Sequence, residues 1–113
     1  MITILRDTNI ADKLVFNMEE DGKRIGGITA KLEHDGVHIT ALDSEVELYY
    51  DGLCRTVLAY ANIRGVDRAV FEISDERQLY RLRGFGFITE SSSVLESISE
   101  FFDRGCEDSE GKQ

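Results

Sequence analysis

Residues Ile39 to Phe71 read ITALDSEVELYYDGLCRTVLAYANIRGVDRAVF. The pattern predicts a strand, a loop turning at Asp51-Gly52, a helix from about Leu53 to Arg64, and a second strand opening at Arg68. A strand, a crossover helix and a second strand form the unit that a parallel pair of strands requires. The helix carries Leu53, Val57, Leu58, Tyr60, Ala61 and Ile63, a broad apolar stripe that belongs against a sheet. Gly65 ends it. Ala69 to Ile73 is nearly continuous apolar sequence broken by Glu72, which suits an interior strand.

Gly52 stands where loop becomes helix, and free N–H groups in a helix's first turn favour anions. A phosphate-bearing cofactor is one reading of that turn. An ordinary helix capped by Asp51 is the other.

Toward the N-terminus, Lys13–Glu19 and Arg24–Glu33 are apolar runs joined through Asp21-Gly22, and Asp35-Gly36 joins the second run to Val37–Asp43. Asp-Gly between apolar runs predicts a hairpin, because glycine supplies the positive φ of a tight turn. Three antiparallel strands in a meander therefore lead into the central unit, preceded by a short strand over Met1–Leu5. Gly26-Gly27 inside the middle strand predicts a bulge or a close backbone approach.

Toward the C-terminus, Asp75 can cap a short helix through Arg83, with Gly84 as its stop. Phe85–Thr89 reads as the last strand. Val94, Leu95, Ile98, Phe101 and Phe102 recur at helical spacing after three serines, predicting a terminal helix over Ser92–Arg104. The fold class expected is α+β: a mixed, mostly antiparallel sheet with one crossover and about three helices.

At 113 residues and 42% hydrophobic content the chain fits one domain, over 1–105, with an acidic, disordered tail over 106–113. The 22 acids against 13 bases give a net charge of −9, which repels nucleic acid and anionic lipid and attracts cationic partners such as amines. Cys54 and Cys106 make no disulfide framework and no zinc spacing, which predicts a reduced, cytoplasmic protein without a metal site. Arg6, Asp7, Asp12 and Lys13 interrupt any signal-peptide core, and no apolar run approaches a membrane span.

Two motifs in this order of elements resemble the GNAT-type acyl-CoA N-acyltransferases. That superfamily's pyrophosphate loop is written Arg/Gln-x-x-Gly-x-Gly/Ala. Its first glycine falls on Gly52, Tyr49 takes the Arg/Gln position and Cys54 the last small position. Downstream, Tyr80-Arg81-Leu82-Arg83-Gly84-Phe85 matches the family's Tyr-x-x-x-Gly-Phe. The resemblance covers roughly Lys13–Ile88. It lacks the pair of helices usual between the first two strands, where only Asp7–Asp12 stand.

The resemblance implies that acetyl-CoA or a related acyl-CoA is the co-substrate and that an amine, of a small molecule or a peptide, attacks the thioester directly. It assigns cofactor contacts to Tyr49, Gly52, Leu53, Cys54 and Arg55, and the acid that protonates the thiolate to Tyr80. A phenol of reference pKa about 10 suits that role. His38, Glu47 or Glu72 could deprotonate the amine. Cys54 at a helix N-terminus is a candidate nucleophile that direct attack does not require. Against cofactor binding stand Asp43, Glu45, Glu47 and Asp51 around the loop. The alternative is therefore a catalytically inactive GNAT-like domain working through protein association, with a homodimer through the surface left by the missing helices.

Overall fold

At Asp21-Gly22 both residues take positive φ, 52° and 84°, the left-handed pair of a tight hairpin turn. This turn joins β2 (Leu14–Glu20) to β3 (Lys23–Glu33), whereas the next turn falls on His34-Asp35, one residue earlier than expected, because Gly36 already pairs with Glu33 as the first residue of β4 (Gly36–Ser44). Gly36 has φ 148°, and a Cβ there would lie 2.7 Å from the Arg68 carbonyl oxygen, so only glycine lets the later chain approach. With β1 (Ile2–Arg6) pairing antiparallel to β2, these strands make the expected meander.

The crossover follows as α1 (Tyr49–Ile63) and β5 (Ala69–Phe71), which pairs parallel to β4. The chain continues through α2 (Glu76–Phe85), β6 (Val94–Leu95) and α3 (Ile98–Gly111). The computed structural model describes residues 1–111, with side chains through Arg104. The result is a six-stranded sheet in the order β1-β2-β3-β4-β5-β6, antiparallel except for β4–β5, with three helices among the described residues. It is the mixed α+β class expected.

Side chains alternate across the sheet. Leu14, Phe16 and Met18 of β2 are buried, while Val15, Asn17 and Glu19 between them are half-buried. The buried face receives Leu53, Cys54, Val57, Leu58 and Ala61 of α1, and α2 and α3 pack beside α1. Phe87 stacks on Phe101 of α3 at 4.9 Å between centroids, tying the third helix to the same core. The opposite face has no helix against it among the described residues. Residues 7–13 alone connect β1 to β2, and the Asp7 N–H closes that link onto the Val15 carbonyl.

Several boundaries differ from the expectation. The central helix begins at Tyr49, so Asp51-Gly52 lies inside its first turn and is not a loop. Tyr50 is buried and draws that turn onto the core, and Asp51 binds Arg55 one turn on. Gly84 does not stop α2. Gly86 does, at φ 90°, two residues later. Phe87 and Ile88, expected in a strand, are buried without forming one, while Val94 and Leu95, expected in a helix, form β6 against β5. Helical spacing there reflects burial of Leu95 on the core face; strand pairing overrides it. The tail expected over 106–113 overlaps α3 as far as Gly111, and residues 112–113 lie outside the described residues.

Leu53 is fully buried, so Leu53→Ala is expected to cost about 2–5 kcal/mol in urea unfolding. A change near zero would return this residue to an open loop.

Candidate functional site

The parallel pairing between β4 and β5 is short. It covers Val37, His38 and Ile39 of β4, and the Glu72 N–H adds one further bond to the Ile39 carbonyl at 2.8 Å. Past Ile39 a bulge adds Thr40 to β4, since Thr29 faces Ala41 while Ala30 faces Ile39. The bulge turns Leu42 and Ser44 with the core face. From Thr40 to Ser44, β4 keeps β3 on one side, and the chain leaving β5 diverges on the other. An opening results at the C-terminal end of β4, where α1 begins.

Alpha-helix residues fill this opening from one side. Asp75 caps α2 by accepting the Gln78 N–H at 2.9 Å, which aims the first turns of α2 at the gap. Gln78 Nε2 donates to the Leu42 carbonyl at 2.5 Å and reaches the Tyr50 hydroxyl at 3.5 Å. Arg77 holds Glu47 through Nε at 2.7 Å and Nη2 at 2.9 Å, and Arg81 Nε donates to the same carboxylate at 2.8 Å. Hydrogen bonds from Arg77 and then Arg81 lower the Glu47 carboxyl to about 2. A carboxylate held in this way is no proton acceptor, which removes Glu47 from the candidate bases. Below the same stretch of α2, Tyr80, Arg81, Arg83, Gly84, Phe85 and Ile88 line an open depression of about 660 Å³.

Across the sheet, His38 and Glu72 meet on the uncovered face. His38 Nδ1 lies 2.5 Å from Glu72 Oε2, and Nε2 lies 2.9 Å from Asp35 Oδ1. The hydrogen bond to Glu72, then that to Asp35, raises the His38 pKa, and His38 in turn lowers that of Asp35. Arg68 stands 3.8 Å from Asp35 and 3.4 Å from Glu96, extending the charged row.

This arrangement of strands and helices matches solved enzymes. An IAA acetyltransferase from Bacillus cereus superposes with a TM-score of 0.64 at 14% identity, covering 76% of each chain. The ribosomal-protein-S18-alanine N-acetyltransferase from Escherichia coli gives 0.60 at 13% identity, over 78% of this chain and 71% of the enzyme. The PaiA N-acetyltransferase from Thermoplasma acidophilum, solved with coenzyme A, gives 0.60 at 14% identity, over 80% of this chain and 62% of that one. The chain has the GNAT-type N-acetyltransferase fold. No family model matches it, and no curated protein matches it by sequence.

Within the GNAT-type fold the residues assigned to the cofactor loop are differently placed. Leu48 is the N-cap, so the helical ladder begins with the Gly52 N–H, and the amides of Gly52, Leu53 and Cys54 donate inside the helix. Leu53 and Cys54 are also fully buried. Tyr49 and Tyr50 donate their N–H groups to the carbonyls of Val46 and Glu47 at 3.0 and 3.1 Å. Asp51 is not the cap; both its oxygens accept from Arg55 Nε, at 3.1 and 3.0 Å. Arg55 also stacks its guanidinium over Phe101 at 5.0 Å, toward α3. Burial, then the charge of Asp51, raises the Cys54 thiol far above the range of a reactive thiolate, which excludes it as a nucleophile.

His38 and Glu72 are thus brought together, and Tyr80 stands apart on α2, 60% exposed, with the Arg77 guanidinium 5.5 Å from its ring. The Glu47 clamp and the Gln78 contact were not read from the sequence. Arg77 and Arg81, four apart on one helix face with a lone Gln between them, were the signal available.

Both charged clusters carry a pH signature. Glu72 and Asp35 favour the His38 imidazolium, so their stabilisation is fully present below an unfolded histidine pKa of about 6.5 and is lost as pH rises through the higher folded value. Thermal melts in buffers from acid to alkaline pH should show Tm falling across that window, and His38→Gln should flatten the fall; an unchanged slope would remove the coupling. The Glu47 contribution has the opposite sense. It is fully present above an unfolded carboxyl pKa of about 4.3 and disappears only as pH falls through about 2.

Proposed function

We propose that the protein is an acyl-CoA-dependent N-acyltransferase that takes its thioester at the opening between β4 and the chain leaving β5. The observation that carries this reading is the short parallel pairing that ends at Ile39 beside the start of α1, in a fold shared with N-acetyltransferases. One of those neighbours is solved with coenzyme A. The acyl donor would approach on the α2 side, where Arg83, and Arg77 and Arg81 once they leave Glu47, offer cations on an otherwise acidic molecule. Gly52, Leu53, Cys54 and Arg55 do not fit as its phosphate contacts, because their amides and guanidinium are engaged elsewhere.

In the reaction an amine nitrogen bonds to the thioester carbonyl carbon, the carbon–sulfur bond breaks, and CoA leaves as its thiol. Tyr80 is the group proposed to protonate the departing thiolate. His38 is proposed to take the proton from the amine on the uncovered face through Nε2, after Asp35 releases that nitrogen, while Glu72 holds Nδ1. Because only neutral imidazole can accept that proton, the rate should climb as pH rises through the folded His38 value. The acceptor is proposed to be a small or peptide amine, drawn by the net negative charge, and an intracellular thioester fits a cytoplasmic location.

Glu47 and Gln78 favour a second reading, in which the domain no longer transfers acyl groups and acts through association, a second copy of the chain being the first partner to test. Calorimetric titration with acetyl-CoA and free CoA separates the two. Saturable binding supports the enzyme; none at millimolar ligand defeats it and favours the scaffold. Given binding, Tyr80→Phe should lower kcat about 10²-fold or more with KM for the thioester nearly unchanged. Full activity in that variant would return Tyr80 to a packing role.

A further inference from the structure

Helix α2 touches the opening at the points where an extended ligand would need to bind. From Thr40 to Ser44 β4 offers a strand edge beside the gap, and a peptide-like chain pairs with such an edge through its own amides. The Leu42 carbonyl is one acceptor on that edge, and Gln78 already supplies its N–H. The primary amide of Gln78 imitates the donor that an incoming amide chain would present. Three further charge-assisted bonds, from Arg77 and Arg81 to Glu47, hold α2 against the β4–α1 junction. Glu47 occupies the same two arginines that an anionic ligand would use.

We infer that α2 is a latch: Gln78 on the Leu42 carbonyl, and Arg77 with Arg81 on Glu47, close the gap with groups that imitate a ligand's amide and its anion. This rests on the acyl-CoA reading of the same opening. Entry of the thioester requires Gln78 to leave Leu42 and the arginines to exchange Glu47 for phosphate. The resting protein therefore binds more weakly than the opening itself allows, because its competent state is only a fraction of the population. The contacts lie within α2 and the residues from Leu42 to Tyr50, so release leaves Val57, Leu58 and Ala61 of α1 in the core.

Two variants test the latch without touching the proposed acid or base. Gln78→Ala frees the Leu42 carbonyl with no change of charge, and Glu47→Gln weakens the arginine clamp. Both are checked first for a native circular dichroism spectrum and a cooperative melt. Amide hydrogen exchange, read without ligand, is expected to quicken about tenfold in α2 for either variant, while the amides of α1 from Val57 to Ala61 stay protected. Calorimetry with free CoA is expected to show about fivefold tighter binding in Gln78→Ala, which a change in electrostatic repulsion cannot produce. Unchanged exchange in α2 overturns the latch. Faster exchange with equal or weaker CoA affinity in Gln78→Ala also overturns it, while CoA binding to the unaltered protein leaves the acyltransferase reading standing. If neither the unaltered protein nor either variant binds CoA, both proposals fall together.

Discussion

Three residues of parallel pairing between β4 and β5 set the geometry on which everything else in the opening depends. A parallel pair needs a crossover, and the crossover helix α1 must return over the sheet to reach β5. The bulge at Thr40 then swings the rest of β4 away from the partner that the crossover delivered. Had the pairing continued to Ser44, Leu42 would bond a neighbouring strand and α2 would have no edge to meet. The core is indifferent to the opening, since Val37, Ile39 and Leu42 stay buried on both sides of the bulge.

Charge is distributed around this geometry in two separate groups. On the uncovered face Asp35, His38, Glu72 and Arg68 form a row that links the β3–β4 turn to the end of β5. On the helical side Glu47, Arg77 and Arg81 link the start of α1 to α2. Both groups straddle the strands that part company, one at the root of the opening and one at its mouth. Exposed ion pairs add little to stability, so their placement bears more on how the opening is held than on whether the chain folds.

The antiparallel half was legible because its signals are local. Asp21-Gly22 carries its turn in its own φ angles, and alternation along Leu14–Glu20 identifies the core face. The cap at Asp75 was equally local. Asp51-Gly52 misled for the same reason: it resembles the other Asp-Gly turns in sequence, yet the burial of Tyr50 and the pairing of Asp51 with Arg55 make it helix. Val94-Leu95 shows the complementary failure, because a two-residue strand exists only where β5 offers it an edge.

By itself, then, the sequence determined the meander, the crossover and the apolar stripe of α1, since each depends on neighbours within a few residues or on simple periodicity. It also supplied His38, Glu72 and Tyr80 as chemically able groups. Tertiary structure alone decided that His38 meets Glu72, that the amides of Gly52–Cys54 belong to a helix, and that Gln78 reaches Leu42 across 36 positions of chain. Such contacts depend on how far two strands stay paired before they diverge. No local pattern encodes that length, because it is set by the balance of a bulge, a buried face and a helix laid across the gap.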